Sequence, residues 1–162
     1  MRKIGLGLGG IILVMVLAYW MVANGATDAK YLPSFSLESM AGSNMNETVL
    51  QDGGVITFFR STCGYCLLEY PMWKKIRQKY PNIKMVMVLH KQSLSKIKPF
   101  FNVHGNPFNH VLADDENQLW DALDATYTPE TFVYDKSGTL VGHFGYIRDD
   151  GKALDNTLKS LT

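Results

Sequence analysis

Val55-Ile56-Thr57-Phe58-Phe59-Arg60-Ser61-Thr62-Cys63-Gly64-Tyr65-Cys66 decides the reading of this chain. Its first five residues are apolar or β-branched, as expected of a central strand covered on both faces. The last four hold the only two cysteines in the sequence. A dithiol placed where a strand turns into a helix meets unpaired N–H groups and the positive end of the helix dipole, which favour a thiolate at Cys63. The thiolate is the species that attacks disulfides. With no third cysteine, any disulfide within the chain joins Cys63 to Cys66, and a loop that tight constrains little of the unfolded chain. The pair therefore reads as redox chemistry, not as a structural staple.

Outward from the dithiol, the pattern predicts a helix to about Tyr80, with Leu68, Met72 and Ile76 on its inner side and Pro71 interrupting its hydrogen bonds. Ile83 to Leu89 is a second continuous apolar run. Ser93 is placed to cap a helix running to about Val103, which Gly105-Asn106-Pro107 ends. A short extended piece at Val111-Leu112 precedes a helix around Glu116 to Leu123. Thr131 to Tyr134 and Thr139 to Phe144 flank a hairpin turn at Asp135-Lys136-Ser137-Gly138. Asp149 or Asp150 starts a last helix ending near Leu161. Before the dithiol, Phe35-Ser36-Leu37 alternates like a short strand, and Ala41 to Glu47 reads as loop. A parallel βαβ unit followed by an antiparallel ββα unit gives an α/β fold, a mixed sheet flanked by helices. A C-x-x-C beside such a unit is the thioredoxin-like signal.

The 162 residues suffice for one domain with a real core. Arg2 and Lys3 precede Ile4 to Ala23, a stretch without charge. Twenty residues at about 1.5 Å each span about 30 Å, the thickness of a bilayer's hydrocarbon core. Tyr19 and Trp20 suit an aromatic belt, and the two basic residues favour a cytoplasmic N-terminus. The expected organisation is a membrane anchor (or signal peptide) over 1–23, a tether over 24–32 and a domain over 33–162. The catalytic domain then lies in the periplasm, on a single-pass anchor in a bacterial inner membrane. Ala23-Asn24-Gly25 offers small residues for cleavage, but the apolar run exceeds a usual signal core, which favours the anchor.

A formal charge of +1 argues against a general nucleic-acid binder. Charge is nonetheless segregated. Every charged residue between Tyr70 and Ala113 is basic, and every one from Asp114 to Asp135 is acidic. Two solvated faces are the ordinary reading, with a docking surface for a charged partner as the sharper one. His104 and His110 have H-x5-H spacing, but they lie too far beyond Cys66 for a usual zinc site, so no metal is expected. His90 and His143 read as ordinary polar residues. Glu69 stands one helical turn beyond Cys66, where it can share a face and accept the proton as Cys66 attacks a mixed disulfide, or simply be solvated near the helix start.

Three further segments carry a resemblance. Tyr127-Thr128-Pro129-Glu130-Thr131-Phe132-Val133-Tyr134-Asp135 with Gly138, Gly105-Asn106-Pro107-Phe108 with Asp114, and Cys63-x-x-Cys66-x-x-Glu69-x-Pro71 resemble the membrane-anchored cytochrome c maturation thioredoxins, the DsbE or CcmG family, and the related TlpA- and ResA-like reductases. The resemblance implies a thioredoxin-like fold and a periplasmic thiol-disulfide oxidoreductase acting as a reductase. With it, Cys63 is expected as nucleophile and Cys66 as resolving thiol, and Glu69 is the candidate third catalytic group if it is not simply solvated. Gly64, Tyr65, Thr128, a cis Pro129 and Glu130 are implied to lie along the substrate. No cofactor beyond the Cys63–Cys66 pair is implied. The implied partners are a membrane thiol electron donor and apocytochrome c or its thiol chaperone. Trp is absent before the first cysteine, and Thr62-Cys63-Gly64-Tyr65-Cys66 with Thr128 is more similar to the DsbC-type isomerases. A broader reductase or isomerase for secreted proteins with disulfides is thus the alternative, and a non-catalytic membrane-tethered binding module a third.

Overall fold

The structure, a computed structural model, describes residues 31–162. The expected anchor over 1–23 and nearly all of the tether lie outside the described residues. Among the described residues no helix is long and apolar enough to cross a membrane.

Seven strands form one sheet. In chain order they are β1 (Ser36–Ser39), β2 (Asn44–Asn46), β3 (Gly54–Phe59), β4 (Lys84–His90), β5 (His110–Asp114), β6 (Glu130–Tyr134) and β7 (Leu140–Phe144). Helix α1 (Gly64–Lys79) joins β3 to β4, α2 (Leu94–His104) joins β4 to β5, α3 (Gln118–Ala122) follows β5, and α4 (Lys152–Lys159) closes the fold. The spatial order is β2-β1-β5-β4-β3-β6-β7, with β3, β4 and β5 parallel and the remaining pairings antiparallel. The mixed sheet expected from the order of elements is present.

Alternation along the strands divides the core in two. Val55 and Phe59 of β3 with Met85, Met87 and Leu89 of β4 pack under Trp73, Ile97, Leu154 and Leu158 of α1, α2 and α4. Ile56, Phe58, Val86 and Val88 face the other way, onto Leu119, Leu123 and Leu50. All six residues of β3 are buried, which explains its nearly continuous apolar run. Thr57 is the one polar residue in it, and it accepts at 2.9 Å from the Thr131 hydroxyl directly opposite on β6. Pairing the two hydroxyls satisfies both in the dry interior.

Several expectations need correction. Leu68 is 66% exposed, not part of the core face of α1. The buried residues of that helix are Cys66, Glu69, Tyr70, Met72, Trp73 and Ile76, so Met72 and Ile76 face inward as expected and Leu68 does not. Once Cys66 points inward, Leu68 stands about 200° round the helix from it, toward solvent. The segment 41–47 is not all loop, because Asn44–Asn46 adds an edge strand to β1. Ser93 takes the N-cap position of α2 but makes no capping hydrogen bond, and its hydroxyl meets that of Ser95 instead. The α3 helix is shorter than expected, and its start is set by the buried Asp114, whose Oδ2 accepts the N–H groups of Leu119 and Trp120. Tyr31 and Leu32, assigned to the tether, are joined to the hairpin turn at Thr139 and Gly138.

The basic segment is the solvated face expected, with every lysine from Lys74 to Lys98 exposed, and three of its basic residues also tie α1 to its surroundings. Arg77 donates to the carbonyls of Pro107, Pro81 and Ile83, fastening α1 to two loops. Lys79 pairs with Asp155 of α4, and Lys75 lies 3.7 Å from Asp150.

Candidate active site

Because β3 ends at Phe59 and α1 begins at Gly64, the dithiol falls on the turn between sheet and helix. Cys63 is the N-cap of α1, with φ −88° and ψ 114°, and its sulfur accepts the N–H of Cys66 at 3.2 Å. A cysteine thus occupies the place that Ser or Asp commonly fills, where a helix N-terminus favours negative charge. The Cys63 thiol is half-buried and donates to the Thr128 carbonyl at 3.3 Å. Both thiols are free. Cys66 is buried, and burial, reinforced by the neighbouring Cys63, pushes its thiol up to about 12. One sulfur is presented and the other withheld.

Upstream, the chain entering the dithiol is held by Gln92, whose side-chain carbonyl accepts both the N–H and the hydroxyl of Ser61. Apart from its chain neighbours and the backbone of α1, nothing lies within 4 Å of where a Gly64 side chain would begin, so the turn is open there. Tyr65 is 58% exposed and packs at a tilt against Tyr146, 4.8 Å between ring centroids. A hollow of about 340 Å³ beside the dithiol is lined by Ser61, Leu67, Tyr70, Pro71, Phe100 and His104. Such an open surface suits a polypeptide better than an enclosed small molecule.

Glu69 is buried on the same stripe of α1 as Cys66. Its Oε1 accepts the backbone N–H of Ile147, and Oε2 is buried without a protein partner. Burial raises its carboxyl to about 7, with the N–H groups of Ile147 and Trp73 opposing the rise. The solvated alternative for Glu69 is therefore set aside. A carboxyl that exchanges its proton near neutrality can serve as an acid and a base.

On the facing side, the Thr128–Pro129 peptide is cis, and Thr128 is half-buried beside Cys63. Glu130 is 2% exposed. Its Oε2 accepts the N–H groups of Thr126 and Tyr127, and its Oε1 lies 2.7 Å from His143 Nε2. Glu130 thus holds the segment leading to Thr128 and is withdrawn from the surface where a substrate would lie. His143, read from sequence as an ordinary polar residue, belongs to this arrangement. Gln92 and Ile147 were missed altogether: one contributes an amide side chain, the other only a backbone N–H, and neither has a sequence signature.

His104 packs against Phe100 and Tyr70, whereas His110 sits on β5. Among the described residues no three His, Cys, Asp or Glu side chains are grouped as a metal ion would require.

Comparison with known proteins points the same way as the geometry. The family model described as AhpC/TSA matches residues 29–143. The thiol:disulfide interchange protein DsbE of Yersinia pestis is 30% identical over 125 residues, 74% of this chain and 65% of its own length. HelX of Rhodobacter capsulatus, also named a thiol:disulfide interchange protein, is 28% identical over 72% of this chain and 66% of its own. The chain thus spans just under two thirds of the length of these relatives. The thiol-disulfide oxidoreductase ResA of Bacillus subtilis is 26% identical over 82% of this chain and 79% of its own. Among solved structures, a thioredoxin-family interchange protein from Chlorobium tepidum superposes with a TM-score of 0.70 at 20% identity, covering 82% of this chain and 95% of that one. A secreted disulfide oxidoreductase of Mycobacterium tuberculosis gives 0.69 at 17% identity, covering 78% and 96%. At those identities the structures speak for the fold.

Proposed function

Since this chain belongs to the AhpC/TSA family, we propose that it is a thiol-disulfide oxidoreductase that reduces substrate disulfides in the periplasm, in the service of cytochrome c assembly. The observation that carries the reading is the Cys63 sulfur at the N-cap of α1, 3.3 Å from the Thr128 carbonyl, with Cys66 buried beneath it. The similarity to DsbE, HelX and ResA supports the choice of reaction and of assembly role. The uncharged stretch 4–23 supports a single-pass anchor in the inner membrane, with residues 33–162 as the working domain on its outer side.

In the proposed reaction a substrate strand pairs with the backbone at Thr128, beside Gly64, Tyr65 and Pro129. The Cys63 thiolate attacks one sulfur of the substrate disulfide. The Cys63–substrate bond forms, the substrate S–S bond breaks, and the second substrate sulfur leaves as a thiolate. Cys66 then gives its proton to Glu69 and attacks Cys63, releasing the first substrate sulfur as a thiolate. Two electrons have passed to the substrate, and the Cys63–Cys66 disulfide is left. A membrane dithiol donor returns those two electrons. No other cofactor is needed.

Replacing Cys66 by Ser in the full chain tests this. The variant should hold its substrate as a mixed disulfide on Cys63 that added reductant releases, and an apocytochrome c, or a thiol chaperone that carries it, is the expected catch. A catch consisting only of multi-disulfide secreted proteins would favour the broader reductase or isomerase. The absence of any adduct depending on Cys63 would overturn both and leave a binding module.

A further inference from the structure

The Thr128 carbonyl that faces Cys63 belongs to a loop closed by one buried carboxylate. Glu130, the first residue of β6, turns back along the chain so that Oε2 accepts the N–H of Thr126 at 2.8 Å and that of Tyr127 at 3.4 Å. Thr128 is the next residue. The remaining oxygen, Oε1, is matched by a single group among the described residues, His143 Nε2 at 2.7 Å. His143 comes from β7, where it pairs with Phe132, and Glu130 is the diagonal neighbour two residues away on β6. Diagonal cross-strand neighbours lie within reach of an aromatic side chain. The imidazole is also fixed flat against the Phe132 ring, 4.5 Å away and 13° from parallel.

We propose that His143 is a positioning residue for substrate docking: it fixes Glu130, and through Glu130 it holds Thr128 in register over Cys63. This rests on the reading that Cys63 attacks disulfides of polypeptides laid along Thr128. A buried carboxylate oxygen that loses its partner carries a large desolvation cost. Without His143 the carboxylate turns toward water, and the Thr126 and Tyr127 amides lose their acceptor. The backbone edge that a substrate strand would pair with is then no longer held. The thiols themselves have no contact with His143, so the intrinsic chemistry at Cys63 is untouched. The imidazole acts on where a peptide sits, not on how the sulfur reacts.

The experiment compares two substrates on the full chain: a peptide closed by one disulfide, and cystamine, which has no backbone to pair. His143→Ala should raise the KM for the peptide about tenfold, the loss of roughly one charge-assisted hydrogen bond. Its kcat and its rate with cystamine should stay at the unsubstituted values. His143→Gln places an N–H donor the same number of bonds from the backbone and should restore the peptide KM. Amide exchange at Thr126 and Tyr127 should quicken in the alanine variant alone. An unchanged peptide KM, an equal loss with cystamine, a collapse of the melting temperature, or no rescue by glutamine would each overturn the assignment. If the unsubstituted protein reduces neither substrate, the function proposed for Cys63 falls as well. If it reduces both and His143→Ala matches it, only the role of His143 falls.

Discussion

Glu69 reaches from α1 to accept the backbone N–H of Ile147, 78 residues along the chain, while its second carboxylate oxygen stays buried without a protein partner. The carboxyl is thereby tied to the loop that carries Tyr146, whose ring packs at a tilt against Tyr65 of the dithiol. One side chain joins the base of the helix to the rim of the site, at the expense of burying an acid.

That burial has a stability consequence with a definite sign. The carboxyl ionises near 4.5 in an unfolded chain and about 7 in the folded one. Below pH 4.5 both states hold the proton and the group is neutral to stability. Between those values the unfolded chain has lost the proton and the native state keeps it, so stability falls as pH rises. Above 7 the loss levels off at about 3 kcal/mol. Glu69→Gln cannot ionise, so the stability difference between variant and unsubstituted protein should shift in favour of the variant from pH 5 to pH 8. Denaturant melts at both values measure it, and a difference independent of pH refutes the buried acid.

The same substitution should be felt in catalysis at a different step. If Glu69 takes the proton from Cys66, Glu69→Gln leaves the first attack by Cys63 unchanged and slows release of the mixed disulfide about a hundredfold. Rapid-quench trapping of the adduct at pH 7 separates the two steps. Equal rates of release in both proteins would remove Glu69 from the chemistry.

The sequence revealed what is local and concealed what is assembled from afar. The apolar run 55–59, the dithiol and the hairpin turn at Asp135 to Gly138 are contiguous, and each forms where its residues indicate. The side of α1 that faces inward was misread at Leu68, because a spacing of four drifts across a helix of 3.6 residues per turn. The edge strand Asn44–Asn46 escaped notice because only Met45 in it is apolar, and an edge strand needs little more. The burial of Glu69 depends on Ile147, and the role of His143 depends on the register of β6 against β7, which has a bulge at Val133/Tyr134. Neither can be counted along the chain.

The corrected face of α1 predicts an unequal response to two truncations. Trp73 is 1% exposed and packs its ring against Phe108 at 5.5 Å, so Trp73→Ala should cost about 3–5 kcal/mol. Leu68→Ala, at a site 66% exposed, should cost under about 0.5 kcal/mol. Urea unfolding of the two variants decides it. Had the spacing of Leu68, Met72 and Ile76 described the packed face, Leu68→Ala would lose a core side chain and the ranking would narrow.

The asymmetry of the dithiol should be visible to an alkylating reagent. Cys63 is half-buried at an open turn, whereas Cys66 is 1% exposed with a thiol pushed up to about 12. At pH 8 a buried thiol of that kind is thiolate in only about one molecule in ten thousand, so it competes poorly even when the reagent reaches it. Reduced native protein should therefore take up one equivalent of iodoacetamide quickly and the second only after unfolding, and peptide mapping should find the first on Cys63. In Cys63→Ser, Cys66 should stay unlabelled in the native state. Rapid native labelling of Cys66 in that variant would show that this thiol is not withheld and would overturn the proposed division of labour between the two sulfurs.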